Sequence, residues 1–140
     1  EWSGDIGCGV KYFSQDAVIK LAPAAGIQLD PALSPAEKLK IVQGLMAADD
    51  PGAAKIYESI GVYLGHTLAY YHDLYGFKYV LLLGRVMSGK GGDILLDNAK
   101  RVLADEYPEL TGKFEITLPD EKFRRVGQSM AAASLPEIKK

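Results

Sequence analysis

Apolar residues recur along this chain at two different periods, and the changes of period mark its elements. Val18, Leu21 and Ala22 share one face of a short helix that Ser14 caps and that Pro23 and Gly26 end. Leu29-Asp30-Pro31 connects it to the next element. Ser34-Pro35-Ala36-Glu37 has the form of a capping box with proline at the first helical position, and Leu39, Val42, Leu45 and Met46 supply the stripe behind it. Asp50-Pro51 opens a longer helix. There Ile56, Ile60, Tyr63, Leu64, Thr67, Leu68, Tyr71 and Leu74 recur at steps of three and four until Gly76, which predicts about six or seven turns.

The period changes after Gly76. Lys78 to Leu83 is nearly continuous apolar, which predicts a strand covered on both faces and therefore a largely parallel sheet. Ile94, Leu95, Ala99, Val102 and Leu103 make a helical stripe that closes at Tyr107-Pro108. In the second strand Phe114, Ile116 and Leu118 alternate with Glu115 and Thr117. Pro119-Asp120 then turns into a last helix carrying Phe123, Val126, Met130 and Ala133. The fold class is α/β, with mostly helices packed on a small sheet in a β-α-β arrangement. Two strands make a thin sheet for this many helices, so further strands are expected to pair with it. The start at Glu1 rather than methionine points the same way, to part of a longer protein.

Composition narrows the class. A chain of 140 residues that is 48% apolar can form one domain over 1–140. The formal net charge is −2, and the basic residues are scattered apart from Arg124-Arg125 and Lys139-Lys140, so no footprint for nucleic acid is visible. One cysteine cannot make an internal disulfide and no apolar run has membrane length, so a cytoplasmic setting without a membrane partner is expected. Gly61, Gly65 and Ala69 fall on one row of the long helix. Lys55, Glu58 and Asp73 argue against a membrane-dimer reading of that row, which instead predicts close packing on the sheet. His66 and His72 are six apart, a spacing that does not bring two zinc ligands together, and they are read as structural or surface residues.

Candidate chemistry concentrates between the first strand and its helix. A glycine turn at the carboxyl end of a parallel strand, leading into a helix, is where α/β proteins hold phosphates or nucleotides. Gly84 and Gly89-Lys90 have the spacing of a P-loop. The next residue is Gly91, where a magnesium-ligating hydroxyl is required, and Gly91-Gly92-Asp93 postpones the helix start. The alternative is a strand-to-helix turn in which glycines supply positive φ and Asp93 caps the helix. The carboxylates Asp5, Asp30, Asp49, Asp50, Asp93 and Asp97 fall at turns, caps or solvated faces, so no catalytic residue is assigned.

The order of parts resembles the carboxyl-terminal portion of the ROK family (repressor, open reading frame, kinase), a branch of the actin-like, ribonuclease H-like ATPases and sugar kinases. Gly61-Val62-Tyr63-Leu64-Gly65-His66-Thr67-Leu68-Ala69 is similar to that family's Gly-Arg-Tyr-Leu-Gly-x-x-Leu-Ala helix, and Gly84-Arg85-Val86 stands where its Gly-Gly-Gly-Val loop contacts the nucleotide. Gly127-Gln128-Ser129-Met130-Ala131-Ala132 is similar to its closing small-residue helix. The family's zinc motif is only partly present. Gly4, Gly7 and Cys8 fit it, but Glu1 and Ser3 replace two cysteines and Val10 replaces a sugar-contacting glutamate.

The resemblance implies an ATP-binding portion of a ROK-like sugar kinase or ATPase, with Gly84, Arg85, Val86, Ser88, Gly89 and Gly91 around the nucleotide. Magnesium would accompany ATP in the full-length protein, and no zinc or other metal site is expected in this chain. A sugar or related small molecule is the implied second partner. The family's phosphate loop and catalytic aspartate lie upstream of the matching region, so the chain is not expected to be active alone. The alternative is a degenerate regulator or pseudo-kinase that kept the fold for interaction. Exposed strand edges would encourage homo-oligomers.

Overall fold

The structure, a computed structural model, describes residues 7–118. The expected last helix and the small-residue motif at 127–132 lie outside the described residues, as do Glu1, Ser3, Gly4 and Asp5. Five helices, α1 (Val10–Phe13), α2 (Gln15–Leu21), α3 (Pro35–Ala47), α4 (Pro51–Tyr75) and α5 (Lys90–Glu106), accompany two strands, β1 (Tyr79–Leu81) and β2 (Glu115–Thr117). The described residues are thus mostly helical with a small parallel sheet, a mixed α/β arrangement.

Local signals set the helix ends. Ser14 Oγ accepts from the Asp16 amide at 3.1 Å and so caps α2, which passes into a 3-10 turn at Pro23–Ala25 and stops at Gly26. At α3 both halves of the capping box form: the Glu37 amide donates to Ser34 Oγ, and the Ser34 amide donates to Glu37 Oε2 at 2.9 Å. Asp50 Oδ1 accepts from the Ala53 amide at 2.8 Å to cap α4, and Gly76, at φ 57°, ends it.

The α3 cap is sensitive to acid. The Ser34 hydroxyl, and after it the Ser34 amide, holds the Glu37 carboxyl below its ordinary value of 4.5. A lowered folded-state pKa means that the contribution is fully present above the ordinary value and is lost as pH falls through the lowered one. The Ser34 amide resonance should therefore titrate with an apparent pKa below 4.5, and Ser34→Ala, which removes the hydroxyl but keeps the amide donor, should raise Glu37 part of the way towards the ordinary value. An unchanged Glu37 titration in that variant would exclude the cap as the cause.

The core runs along α4. Ile56, Tyr57 and Ile60 are fully buried with Val18, Ala22, Leu39 and Val42 on one side, and Leu95 and Ala99 of α5 on the other. The glycine row packs differently from expectation. Gly61 and Gly65 lie against α5 rather than the sheet: a Cβ at Gly61 would stand 2.5 Å from the Leu95 carbonyl oxygen, and one at Gly65 would stand 2.7 Å from Val102 Cβ. Ridge-into-groove contact of two helices needs the small row that the sheet would not.

The strands pair in parallel, Tyr79 with Glu115, Val80 with Ile116 and Leu81 with Thr117. Flanking bonds from Glu115 N to Lys78 O and from Leu82 N to Thr117 O, at 2.9 and 3.0 Å, extend the ladder. Ile116 is buried between exposed Glu115 and Thr117, as the alternation predicts. β1 departs from its expected two-sided burial. Val80 and Leu82 turn inward and are half-buried, whereas Tyr79 and Leu81 are exposed among the described residues. The apolar run therefore marks one covered face and one open one.

Candidate functional site

The segment from Leu82 to Gly89 leaves the carboxyl end of β1 and delivers the chain to α5. Gly84 takes φ 111° and ψ 164°, a conformation essentially reserved for glycine. The turn it starts, Arg85–Met87, is a 3-10 helix closed by Met87 N to Gly84 O at 3.1 Å and Ser88 N to Arg85 O at 3.2 Å. Val86 and Met87 are buried beneath it and anchor it to the core, while the Arg85 side chain points outward and is exposed. Gly89, at φ 71°, is the residue before the first helical turn.

The helix start corrects the expectation for the next glycines. α5 begins at Lys90, so Gly91 and Gly92 lie inside its first turn, and Asp93 is a first-turn acid rather than the cap. Packing explains why glycine stands in a helix here. A Cβ at Gly91 would fall 2.5 Å from Cε1 and Cζ of the Tyr57 ring, and one at Gly92 would collide with the Met87 carbonyl. Gly84 and Gly89 are different, since nothing lies within 4 Å of a Cβ built on either.

Two side chains far away in sequence hold the loop. Gln43 Nε2 of α3 donates to the Arg85 carbonyl at 2.8 Å. Lys90 Nζ meets Asp49 Oδ1 at 2.8 Å, just past the end of α3, where Asp49 takes the left-handed conformation with φ 58°. Both members of this pair are exposed, so its contribution to stability is about 0–1 kcal/mol. Its geometric effect is larger. The lysine at the P-loop position points to α3, away from the space in front of Gly84.

Three shallow clefts surround the loop. One, of about 390 Å³, lies between Gly84 and Arg85 and the start of the chain's helical region, with Val10, Phe13, Gln15 and Leu39 on its far wall. A second of similar size lies between Ser88, Gly89 and Gly91 and the α3 residues Gln43 and Met46. The third, about 370 Å³, has Arg85 and Ser88 on one side and Glu37, Lys40 and Gln43 on the other. Of the sequence-predicted residues, Gly84, Arg85, Ser88 and Gly89 therefore present surface to these clefts. Val86 and Gly91 also border the clefts but are mainly buried.

Tyr57 is the residue that the sequence reading passed over. It is 0% exposed, its ring supports Gly91, and its hydroxyl has no hydrogen-bond partner among the described residues. Burial pushes its pKa up to about 12. Its only signal in the sequence is its place beside Ile56 on the buried side of α4. His66 is exposed, with Nδ1 2.9 Å from the Tyr107 hydroxyl, whereas half-buried His72 packs with Phe77 and Phe114.

Among the described residues, no helix is long and apolar enough to cross a membrane, and no three His, Cys, Asp or Glu side chains gather as metal ligands. Comparison with known protein families, with curated proteins and with solved structures gives no match for this chain.

Proposed function

We infer that the loop from Gly84 to Gly91 is the nucleotide edge of a ROK-like, actin-fold kinase or ATPase, and that this chain is the ATP-binding portion of a longer cytoplasmic protein. The observation that carries the reading is the pair Gly84 and Gly89, both at positive φ, with open space where any other residue would have a Cβ. A backbone stripped of side chains at the carboxyl end of a parallel strand admits close approach by a ligand. Packing accounts for Gly91 and Gly92 but not for these two.

ATP would supply the phosphoryl group, with magnesium held by the full-length protein. The residues of this chain bind and orient. Gly84 and Gly89 let the nucleotide lie against the backbone, the Ser88 hydroxyl stands at the rim, and the exposed Arg85 guanidinium stacks on the base or pairs with phosphate. The sugar acceptor, the phosphate loop and the catalytic aspartate belong to the rest of that protein. A regulator or pseudo-kinase is the second reading. It is favoured by Val10, which presents an apolar wall on the Gly84 cleft where the resemblance puts a sugar-contacting glutamate.

Calorimetric titration of the intact protein with Mg-ATP tests the proposal. Binding is expected, with at least a tenfold loss of affinity in Gly84→Val and a smaller loss in Arg85→Ala, whose exposed side chain can be removed without disturbing the core. No measurable ATP affinity in the intact protein would sink the kinase reading.

A further inference from the structure

The apolar row of α4 continues beyond the stretch that the described residues cover. Ile56, Ile60, Tyr63, Thr67, Tyr70 and Leu74 follow one another at steps of four and three, so they lie along one side of the helix. Ile56 and Ile60 are buried in the core with residues of α2 and α3. From Tyr63 onward the same side is open among the described residues, apart from half-buried Thr67. Tyr63 and Tyr71 are each 41% exposed, Leu74 59%, Tyr70 64% and Tyr75 75%.

We propose that this carboxyl-terminal half of α4 is the contact face between two copies of the chain, packed helix against helix about a two-fold axis. The exposed parts of these five side chains amount to about 550 Å², taking ~200 Å² for a whole large side chain. That is most of the roughly 800 Å² that each partner gives to a standard interface, the rest falling to the rim. The aromatics form one surface: the rings of Tyr70 and Tyr71 lie 6.3 Å apart and those of Tyr71 and Tyr75 lie 6.2 Å apart.

Chemistry selects the occupant. The row carries no charge, and Asp73 only flanks it beside Tyr70, so a two-fold pairing sets no like charges against each other at its centre. A nucleic acid would need cations that the row lacks. Tyrosine-rich, charge-poor surface is also what the centre of protein interfaces favours. The distance from Tyr63 to Leu74 is about 17 Å along the helix, and an axis passing between Thr67 and Tyr70 sets Tyr63 of one copy against Leu74 of the other. The steps of four and three match the spacing by which two helices interdigitate at a shallow angle.

Sedimentation equilibrium of the 140-residue chain tests the proposal. A dimer is expected, with its dissociation constant raised at least tenfold in both Leu74→Glu and Tyr70→Lys, and unchanged in Lys100→Glu on the exposed side of α5. Circular dichroism melts of the variants establish that each is folded; Tyr70 is exposed enough that its replacement leaves the core intact even if Leu74→Glu does not. A chain that stays monomeric at about 100 μM overturns the proposal, as does a dimer that survives Tyr70→Lys, which would place the contact elsewhere.

Discussion

Replacing Gly61 by alanine is expected to lower stability by about 1–3 kcal/mol, although alanine is the better helix former by roughly 1 kcal/mol. The reason is local. The added Cβ would lie 2.5 Å from the Leu95 carbonyl oxygen and 2.7 Å from Asn98 Cβ, so α4 and α5 must move apart along their whole seam. Gly61→Val should cost more than about 3 kcal/mol. Gly44 supplies the control, because it lies in α3 with nothing within 4 Å of its Cβ direction. Gly44→Ala should raise stability by about 0.5–1 kcal/mol. Urea denaturation of the two alanine variants gives the comparison, and equal shifts of the same sign would mean that the seam is looser than described.

Tyr57→Phe is expected to stabilise the protein by about 1–2 kcal/mol at neutral pH, because it removes a buried hydroxyl that has no hydrogen-bond partner among the described residues. It should also change the alkaline limit. The phenol ionises at its ordinary value of 10.0 when unfolded but at about 12 when folded, since burial disfavours the phenolate. Between these values the folded state keeps a proton that the unfolded state has lost. Stability is therefore full below pH 10 and falls as pH rises towards 12, by about 2–3 kcal/mol. The phenylalanine variant should not show that fall. Tyr57→Ala, by contrast, should cost about 3–5 kcal/mol, because Gly91 and the start of α5 rest on the ring. A loss of stability in Tyr57→Phe would reveal a partner for the hydroxyl and overturn this account.

Much of the architecture was legible before the structure because its signals are local. The capping box at Ser34 and Glu37, the Asp50 cap and the Gly76 stop all operate within a few residues of the backbone groups they satisfy. The parallel pairing of β1 and β2 agrees with the β-α-β order, although the two-sided burial from which a parallel sheet was also expected does not hold for β1. What pattern could not supply was the identity of the covering partner. Gly61 and Gly65 announce a close approach without saying to what, and the approach is made by α5. Tyr63, Tyr71 and Leu74 continue the period of Ile56 and Ile60, yet α2 and α3 cover only the first part of it.

The loop shows the same limit in a sharper form. Low helix propensity made Gly91 and Gly92 look like a delay before α5, but contacts with Tyr57 and Met87 override propensity and draw both into the helix. Its tethers come from Gln43 and Asp49, 42 and 41 residues before the groups they hold, a distance over which no periodic pattern carries information. The strand-to-glycine turn itself was visible, and it is where the clefts are.

The support that Tyr57 gives to Gly91, together with the Gln43 bond to Arg85, has a consequence for the entropy of any encounter at this loop. Ordering a free backbone takes roughly 1–2 kcal/mol per residue, and here folding has already done it between two buried anchors, Val86-Met87 and Gly91-Gly92. A molecule arriving in front of Gly84 meets a preorganised wall, and the chief freedom left to freeze is the Arg85 side chain, at about 0.5–1.5 kcal/mol.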